Sequence, residues 1–391
     1  MQSIPLTDHE VRKMNESDIH VIYGSQNIQR MAYELMDAMD VAAELGKDAR
    51  IALKPNFAVS KPADSGATTH PEVAEGVLQY LIERGFHNIS IMEGSWAGAD
   101  TKTSFRVCGY EALAKQYGIP LYDLKQDSFV ERQAGGLALK VCRKPLLETD
   151  YLINLPVLKA HCQTNLTCAL KNLKGCIPDP EKRRFHSLGR MKPSACLSKI
   201  LRPNLTIVDA ICGDLTFEEG GHPVPMDRLI GGVNPVLLDS YGAELLGFSV
   251  EDIGYLPLAE RLGVGSTDVT RATIHEHHAE KKQQTLFQAS GVARELAGHV
   301  VADSACSVCY GSLIHALQRL RENGKRLPAA VHIGQGFRGK SGNGIGIGNC
   351  TAGFARYLKG CPPTAKAMAD FLAREMTFSG DVYCDAKKFE K

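Results

Sequence analysis

Short β-branched runs alternate with amphipathic stretches through the first half of the chain, and this alternation limits the fold more than any other feature. Ile19–Tyr23, Arg50–Phe57, Ile89–Glu93, Pro120–Leu124 and Tyr151–Leu155 predict strands, with helices over Ile28–Leu45 and Pro71–Arg84 between them. The second helix is punctuated at both ends. Thr69 or His70 precedes Pro71, a residue suited to the first turn, and Gly85 ends the run. Strand, helix, strand in this order predicts an α/β fold, a mostly parallel sheet covered by helices. Leu205–Ala210 and Pro235–Gly247 add a strand and a helix that close the region. Ser249–Ser266, with Gly254, Pro257, Gly263 and Gly265, reads as a junction. The chain is therefore expected to divide into an α/β domain over residues 1–250 and a smaller C-terminal α/β cysteine-bearing module over residues 251–391. Leu286–Ala297 is a further helical run in that module.

A length of 391 residues, with 44% hydrophobic and 23% charged residues, supplies ample material for packed cores. A net charge of +1 argues against a general nucleic-acid surface. Met1–Glu16 lacks the apolar run of a secretory signal, and no stretch approaches the length of a membrane span, so a cytoplasmic location is expected. In that reducing compartment the twelve cysteines are not expected to form a disulfide framework.

Four of those cysteines stand apart. Cys306 and Cys309 form a Cys-x-x-Cys pair ahead of a helix running to about Leu320. A strand over Ala329–Ile333 and a glycine-rich segment, Gly334–Gly348, then lead to Cys350, and Cys361 is followed by Pro362 and Pro363. A Cys-x-x-Cys pair turns two thiolates toward one centre, and two more cysteines beside loop glycines complete four sulfur ligands. Glycines 342, 344, 346 and 348 would leave amide N–H groups for cluster sulfides. One [4Fe–4S] cluster is the expectation, although a [2Fe–2S] centre also takes four cysteines. Zinc on the same four ligands is the main alternative, since spacing does not separate the metals. Free structural thiols, or a redox disulfide between Cys306 and Cys309, are the others.

A second constellation begins where the strand ending near Leu155 should emerge: Lys159, His161, Lys171 and Asn172, then Lys182 and His186. Lys54 and Asn56 lie near another strand end, and Thr69 and His70 precede a helix start. Ligands in open α/β sheets bind outside the carboxyl ends of strands, and helix N-termini attract anions. These loops are read as a pocket for a carboxylate or phosphate, in which Lys159, His161 and Lys171 do the chemistry. Lys54, Asn56, Thr69, His70, Asn172, Lys182 and His186 would bind the substrate. Asp209 and Asp239 could each orient a basic residue, bind a metal or stabilise a helix start, the last being the default for Asp239. His275, His277 and His278, among Glu276, Glu280 and Lys281, read as a solvated face, and Cys162, Cys168 and Cys176 are not expected to form a second metal site.

At these residues the chain resembles the domain of unknown function 362 family. The similar motifs are Lys54-Pro55-Asn56, Thr68-Thr69-His70-Pro71, Asn154 to His161 and Leu170 to Gly175, continuing through Lys182 and His186 to Asp209 and Asn234-Pro235…Asp239. The resemblance implies an α/β domain and association with iron–sulfur centres. Many members carry a ferredoxin-like tail with two tightly spaced cysteine runs. Here the cysteines are sparse and far apart, so one cluster is implied.

The reading that results is an iron–sulfur protein doing redox chemistry on a small anionic molecule, with a ferredoxin-like electron donor as candidate partner and neither nucleic acid nor membrane. No Gly-x-Gly-x-x-Gly fingerprint follows a first strand. The rival readings are a lyase or isomerase using iron as a Lewis acid, and a non-catalytic cluster carrier or zinc-stabilised binding protein.

Overall fold

The computed structural model describes residues 14–378, except 217, 221, 283–286, 288 and 290. Residues 1–13 of the Met1–Glu16 stretch, and Leu286, Gln288 and Ser290 in and around the expected helix Leu286–Ala297, lie outside the described residues. The helix observed there covers Val292–Leu296.

In chain order the first unit contains β1 (Asp18–Tyr23), β2 (Ile51–Lys54), β3 (Ile89–Glu93), β4 (Leu121–Asp123) and a hairpin of β5 (Phe129–Ala134) with β6 (Leu137–Cys142). It continues with β7 (Tyr151–Asn154), a short hairpin of β8 (Lys159–His161) with β9 (Asn165–Thr167), then β10 (Leu205–Asp214), β11 (Pro223–Gly232) and β12 (Thr273–His277). Eight of these form one sheet in the order β12-β1-β11-β10-β7-β2-β3-β4. Every pairing in it is parallel except those of β11 with β1 and β10, so β11 alone runs against the others.

Both faces of this sheet are covered, so its strands read as continuous apolar runs. Alternate residues divide the core. Ile51, Leu53, Ile153 and Ile207 pack with Leu35, Val77 and Leu81 from the helices Ile28–Ala38 and Pro71–Glu83. On the other face Val208 and Ile230 pack with Val236 and Leu237 of the helix Pro235–Leu245, and Ala52 and Leu152 pack with Phe185 and Leu197. The helix expected over Ile28–Leu45 stops at Ala38. Asp40 takes a left-handed backbone there (φ 50°), and Val41–Glu44 continues as a separate 3-10 turn. Among the described residues no helix is long and apolar enough to cross a membrane, and every cysteine is free.

The chain divides into compact units at Ser290/Gly291, later than the expected 250/251. The reason is β12, which pairs with β1 and ties the intervening segment to the first unit. The second unit holds β13 (Val300–Ala302), β14 (Val331–Ile333), β15 (Gly342–Ile347) and β16 (Phe354–Leu358), an all-parallel sheet in that order. The helices Ser307–Glu322 and Ala365–Phe378 pack together, burying Leu313, Leu317, Met368 and Leu372. The glycine-rich segment expected to be a loop is partly strand. A side chain at Gly342, Gly344 or Gly346 would lie within 2.7 Å of Phe354, His332 or Thr351, so alternate glycines permit close packing on one strand face.

Candidate functional site

Strands β2, β3 and β7 run the same way, so their last residues, Lys54, Glu93 and Asn154, meet at one edge. The Lys54 ammonium is fully buried and donates to Glu93 Oε2 (2.5 Å), the Pro55 carbonyl (3.1 Å) and Asn172 Oδ1 (3.3 Å). Asn172 also accepts from Asn56 Nδ2 and donates to Asn154 Oδ1, both at 2.8 Å. Gly175 lies directly over this pair, where a Cβ would come within 1.9 Å of Glu93 Oε1. Thr69 Oγ1 donates to the Leu155 carbonyl (2.7 Å) and accepts from the Asn56 N–H (2.8 Å). Lys182 donates to the Gly94 and Ser95 carbonyls and to Asp179. Lys54, Thr69, Asn172 and Lys182 therefore direct their polar atoms into the protein and form the frame of the site.

Two acidic residues set the helix starts. Asp209 Oδ2 accepts from the His70 backbone N–H (2.7 Å) and pairs with His70 Nδ1 (2.8 Å). Burial works against charge on that ring, but the Asp209 carboxylate outweighs it and raises His70 to about 11. Asp239 does not cap its own helix, whose start is capped by Asn234. It accepts from the Ala169 and Leu170 amides and so orders the turn that presents Lys171 and Asn172. Burial pushes Asp239 up to about 7.

Within this frame lie Lys159, His161, Lys171 and His186. Lys159 is buried and donates to Asn56 Oδ1 (3.2 Å), the Glu218 carbonyl (3.0 Å) and the Ala67 carbonyl. Burial lowers it to about 8, with Glu218 and Asp214 opposing. His161 Nδ1 accepts from the Gln163 and Thr164 amides, which leaves Nε2 as the protonated nitrogen facing Glu218 Oε2 at 2.6 Å. Lys171 differs from the other lysines. Its ammonium is buried, 9% exposed as a residue, and makes no hydrogen bond among the described residues. Burial holds it well below its ordinary pKa. Glu218 opposes this, while Lys174, Lys159 and Arg190 reinforce it. Among the described residues His186 Nδ1 is likewise buried without a hydrogen bond, and burial, Lys174, Arg190 and Lys171 hold the ring neutral, at about 2. His161, Cys162 and Glu218 bring ligand atoms within 4.8 Å of one another, but the surrounding ammonium groups oppose a cation there.

Glu93 and Glu218 are the residues that the sequence reading does not reach. Glu93 ends an expected strand beside the strand of Lys54, and that position is its one signal. Glu218 has no distinguishing spacing.

In the second unit the four cysteines lie in loops after the carboxyl ends of β13, β15 and β16, at one edge of a parallel sheet. Cys306 is the N-cap residue of the helix Ser307–Glu322, and Cys309 sits in its first turn. The Cys350 and Cys361 loops are joined, because Asn349 N–H donates to the Gly360 carbonyl and Gly360 N–H donates to Asn349 Oδ1, both at 2.9 Å. Gln335 Nε2 lies 3.5 Å from Cys306 Sγ. Burial and then Cys306 push the Cys350 thiol upward, Arg338 opposes, and Cys361 adds to the rise, so these three sulfurs share one electrostatic neighbourhood. Among the described residues no three of the four sulfurs lie within 4.8 Å of one another. Thiolates on a single tetrahedral zinc stand about 3.8 Å apart.

Comparison with known proteins places these residues in context. The thylakoid-associated protein sll1697 of Synechocystis sp. is 28% identical over 234 residues, 56% of this chain and 69% of that protein. A crystal structure of a protein from Thermotoga maritima and the lactate racemase apoprotein from Thermoanaerobacterium thermosaccharolyticum each match at 13% identity, with TM-scores of 0.37 and 0.38. They cover 61% and 64% of this chain, which spans 59% and 60% of theirs. Residues 51–244, which include β2 through β11 and the whole lysine cluster, match the family model described as Domain of unknown function (DUF362). The chain carries a domain of that family.

Proposed function

We propose that the first unit binds a small anion, a carboxylate or a phosphate, at Lys171, and that the second carries one [4Fe–4S] cluster on Cys306, Cys309, Cys350 and Cys361. The protein would then be an iron–sulfur redox protein acting on that anion. The observation that carries this reading is the buried Lys171 ammonium, which lacks a hydrogen-bond acceptor amid further positive charge. An unpaired buried cation is costly, and a bound anion supplies the missing partner.

Lys159, lowered to about 8, is suited to hold or release a proton near neutral pH. His161 is fixed in one tautomer by two backbone amides, and Glu218 orients its Nε2 proton. When bound, the cluster would supply single-electron transfer. The four cysteines follow the carboxyl ends of strands at one sheet edge, which supports a single shared centre. A ferredoxin-like protein is the class of partner that would deliver electrons.

Anaerobic purification with metal analysis, followed by calorimetry on the same protein, tests both halves. About four iron and four sulfide per chain are expected, with a brown colour lost in Cys361→Ser. A colourless protein holding one zinc would overturn the cluster. Inorganic phosphate or malonate should bind at one site, more weakly as salt rises. The absence of heat with either at millimolar concentration would overturn the anion site.

A further inference from the structure

Outside the lysine cluster, the edge of the main sheet gathers a second group of ligands. In the parallel pairing of β1 with β12, His20 lies opposite His275 and Asp18 opposite Thr273. Strand alternation then puts Asp18, His20, His275 and His277 on one face. Ile19 and Val21, on the other face, are core residues. The expected solvated face is thus a side-by-side arrangement of three imidazoles and a carboxylate, which adjacent strands bring together from opposite ends of the first unit.

The ring of His20 stacks on His275 with centroids 4.5 Å apart, and on His277 at 5.5 Å. Asp18, His20 and His275 each present one ligand atom within 4.8 Å of the other two. His275 Nε2 stands 3.5 Å from Asp18 Oδ2 yet makes no hydrogen bond among the described residues. Two ligand atoms on a tetrahedral ion with bonds of about 2.0–2.2 Å stand about 3.3–3.6 Å apart, so this pair already has the needed spacing. The group opens onto a cavity of about 390 Å³ that Met39, Asp40 and Gly232 also line. The His275 and Asp18 side chains are 40% and 26% exposed, while the His275 Nε2 atom itself is turned inward and buried.

We infer that Asp18, His20 and His275 form a binding site for a divalent transition-metal ion at this sheet edge. Two imidazoles and one carboxylate form a borderline-soft donor set that suits zinc, cobalt or ferrous iron and leaves a coordination position open. His277 is the positioning residue. Its Nε2 lies 3.3 Å from His20 Nδ1, which directs the other nitrogen of His20, Nε2, toward the ion. The site shares no residue with the cysteine module or the lysine cluster, so it stands or falls independently of either.

Cobalt titration of the chelator-treated full chain tests the inference, because the spectrum reports the donors. Nitrogen and oxygen ligation gives weak visible bands, whereas thiolate ligation adds strong near-ultraviolet charge transfer. One equivalent should bind with the first signature, in the wild type and equally in Cys361→Ser. Binding should weaken by more than about 100-fold in His275→Ala and Asp18→Asn, and by about 10- to 100-fold in His277→Ala. His275 lies on an exposed edge strand, so an unchanged circular dichroism spectrum and melting temperature will separate lost ligation from lost folding. Cobalt binding only with thiolate signatures, or equally well in a folded His275→Ala protein, would overturn the site.

Discussion

Replacing Lys171 with methionine should weaken anion binding while making the protein more stable. The native ammonium is buried without an acceptor and repelled by Lys174, Lys159 and Arg190. Removing it eliminates a desolvation cost of about 1–3 kcal/mol, and methionine fills a similar volume without a polar atom. The same change deletes a charge-assisted hydrogen bond to the bound anion, worth about 1.5–3 kcal/mol, so phosphate affinity should fall by about 10- to 100-fold. Thermal melts and calorimetry on the two proteins check both signs. A lysine serving only the fold would give the opposite stability result.

Proton linkage sharpens the expectation. Burial lowers Lys171 in the free protein, so an arriving anion raises its pKa and draws in a proton. Binding heats measured near pH 8 in buffers of different ionisation enthalpy should reveal proton uptake in the wild type and less in Lys171→Met. In the free protein the sign for stability is fixed as well. A lysine whose folded pKa lies below its unfolded value weakens the fold most at low pH. For Lys159 the penalty is full below about pH 8 and is relieved as pH rises toward 10.5. Lys171 acts in the same direction.

Much of this arrangement was legible before any coordinates, for identifiable reasons. β3 matches its run residue for residue, and β2 and β7 lie within theirs, because strands buried on both faces are unbroken apolar runs bounded by polar residues. The polar residues that begin after Leu155 mark the site for the same reason. Elsewhere local signals conflict with distant ones. Lys54 and Lys182 look like ligand-binding lysines until Glu93, Gly94 and Ser95 arrive from β3 and its following loop to accept their hydrogen bonds. The hairpin of β5 and β6 carried a usable signal in Gly135-Gly136, both with positive φ at the turn. β11 and β12 carried less, since β12 is a polar edge strand with half-exposed histidines. Its pairing with β1 depends on a contact across most of the first unit. Period-two glycines in β15 resemble a loop in composition, and only the residues facing them reveal a strand.

Removing the Asp209 carboxylate should cost the fold more than any other single change at the site. One oxygen, Oδ2, holds both the His70 backbone N–H and its Nδ1, and Oδ1 accepts from the Ile211 amide (3.1 Å). The same contacts anchor the start of the helix Pro71–Glu83, whose N-cap, His70, has no side-chain capping bond of its own. Asp209→Ala would leave two amides unpaired and the buried imidazolium facing only the exposed Asp64 carboxylate, 3.6 Å from Nε2, and Cys212, a loss of about 3–5 kcal/mol measurable by denaturant titration. Asp209→Asn keeps the shape and isolates the charge. A group whose folded pKa is raised stabilises fully below its unfolded value, and that contribution declines as pH rises toward the folded value. The stability gap between wild type and Asp209→Asn should therefore be widest below about pH 6.5 and shrink steadily toward pH 11. Lys159 and Lys171 are common to both proteins, so their opposite trend largely cancels in the difference. A gap that stays constant between pH 6 and pH 10 would mean that Asp209 holds a neutral ring, and that the helix start is anchored by hydrogen bonds without an ion pair.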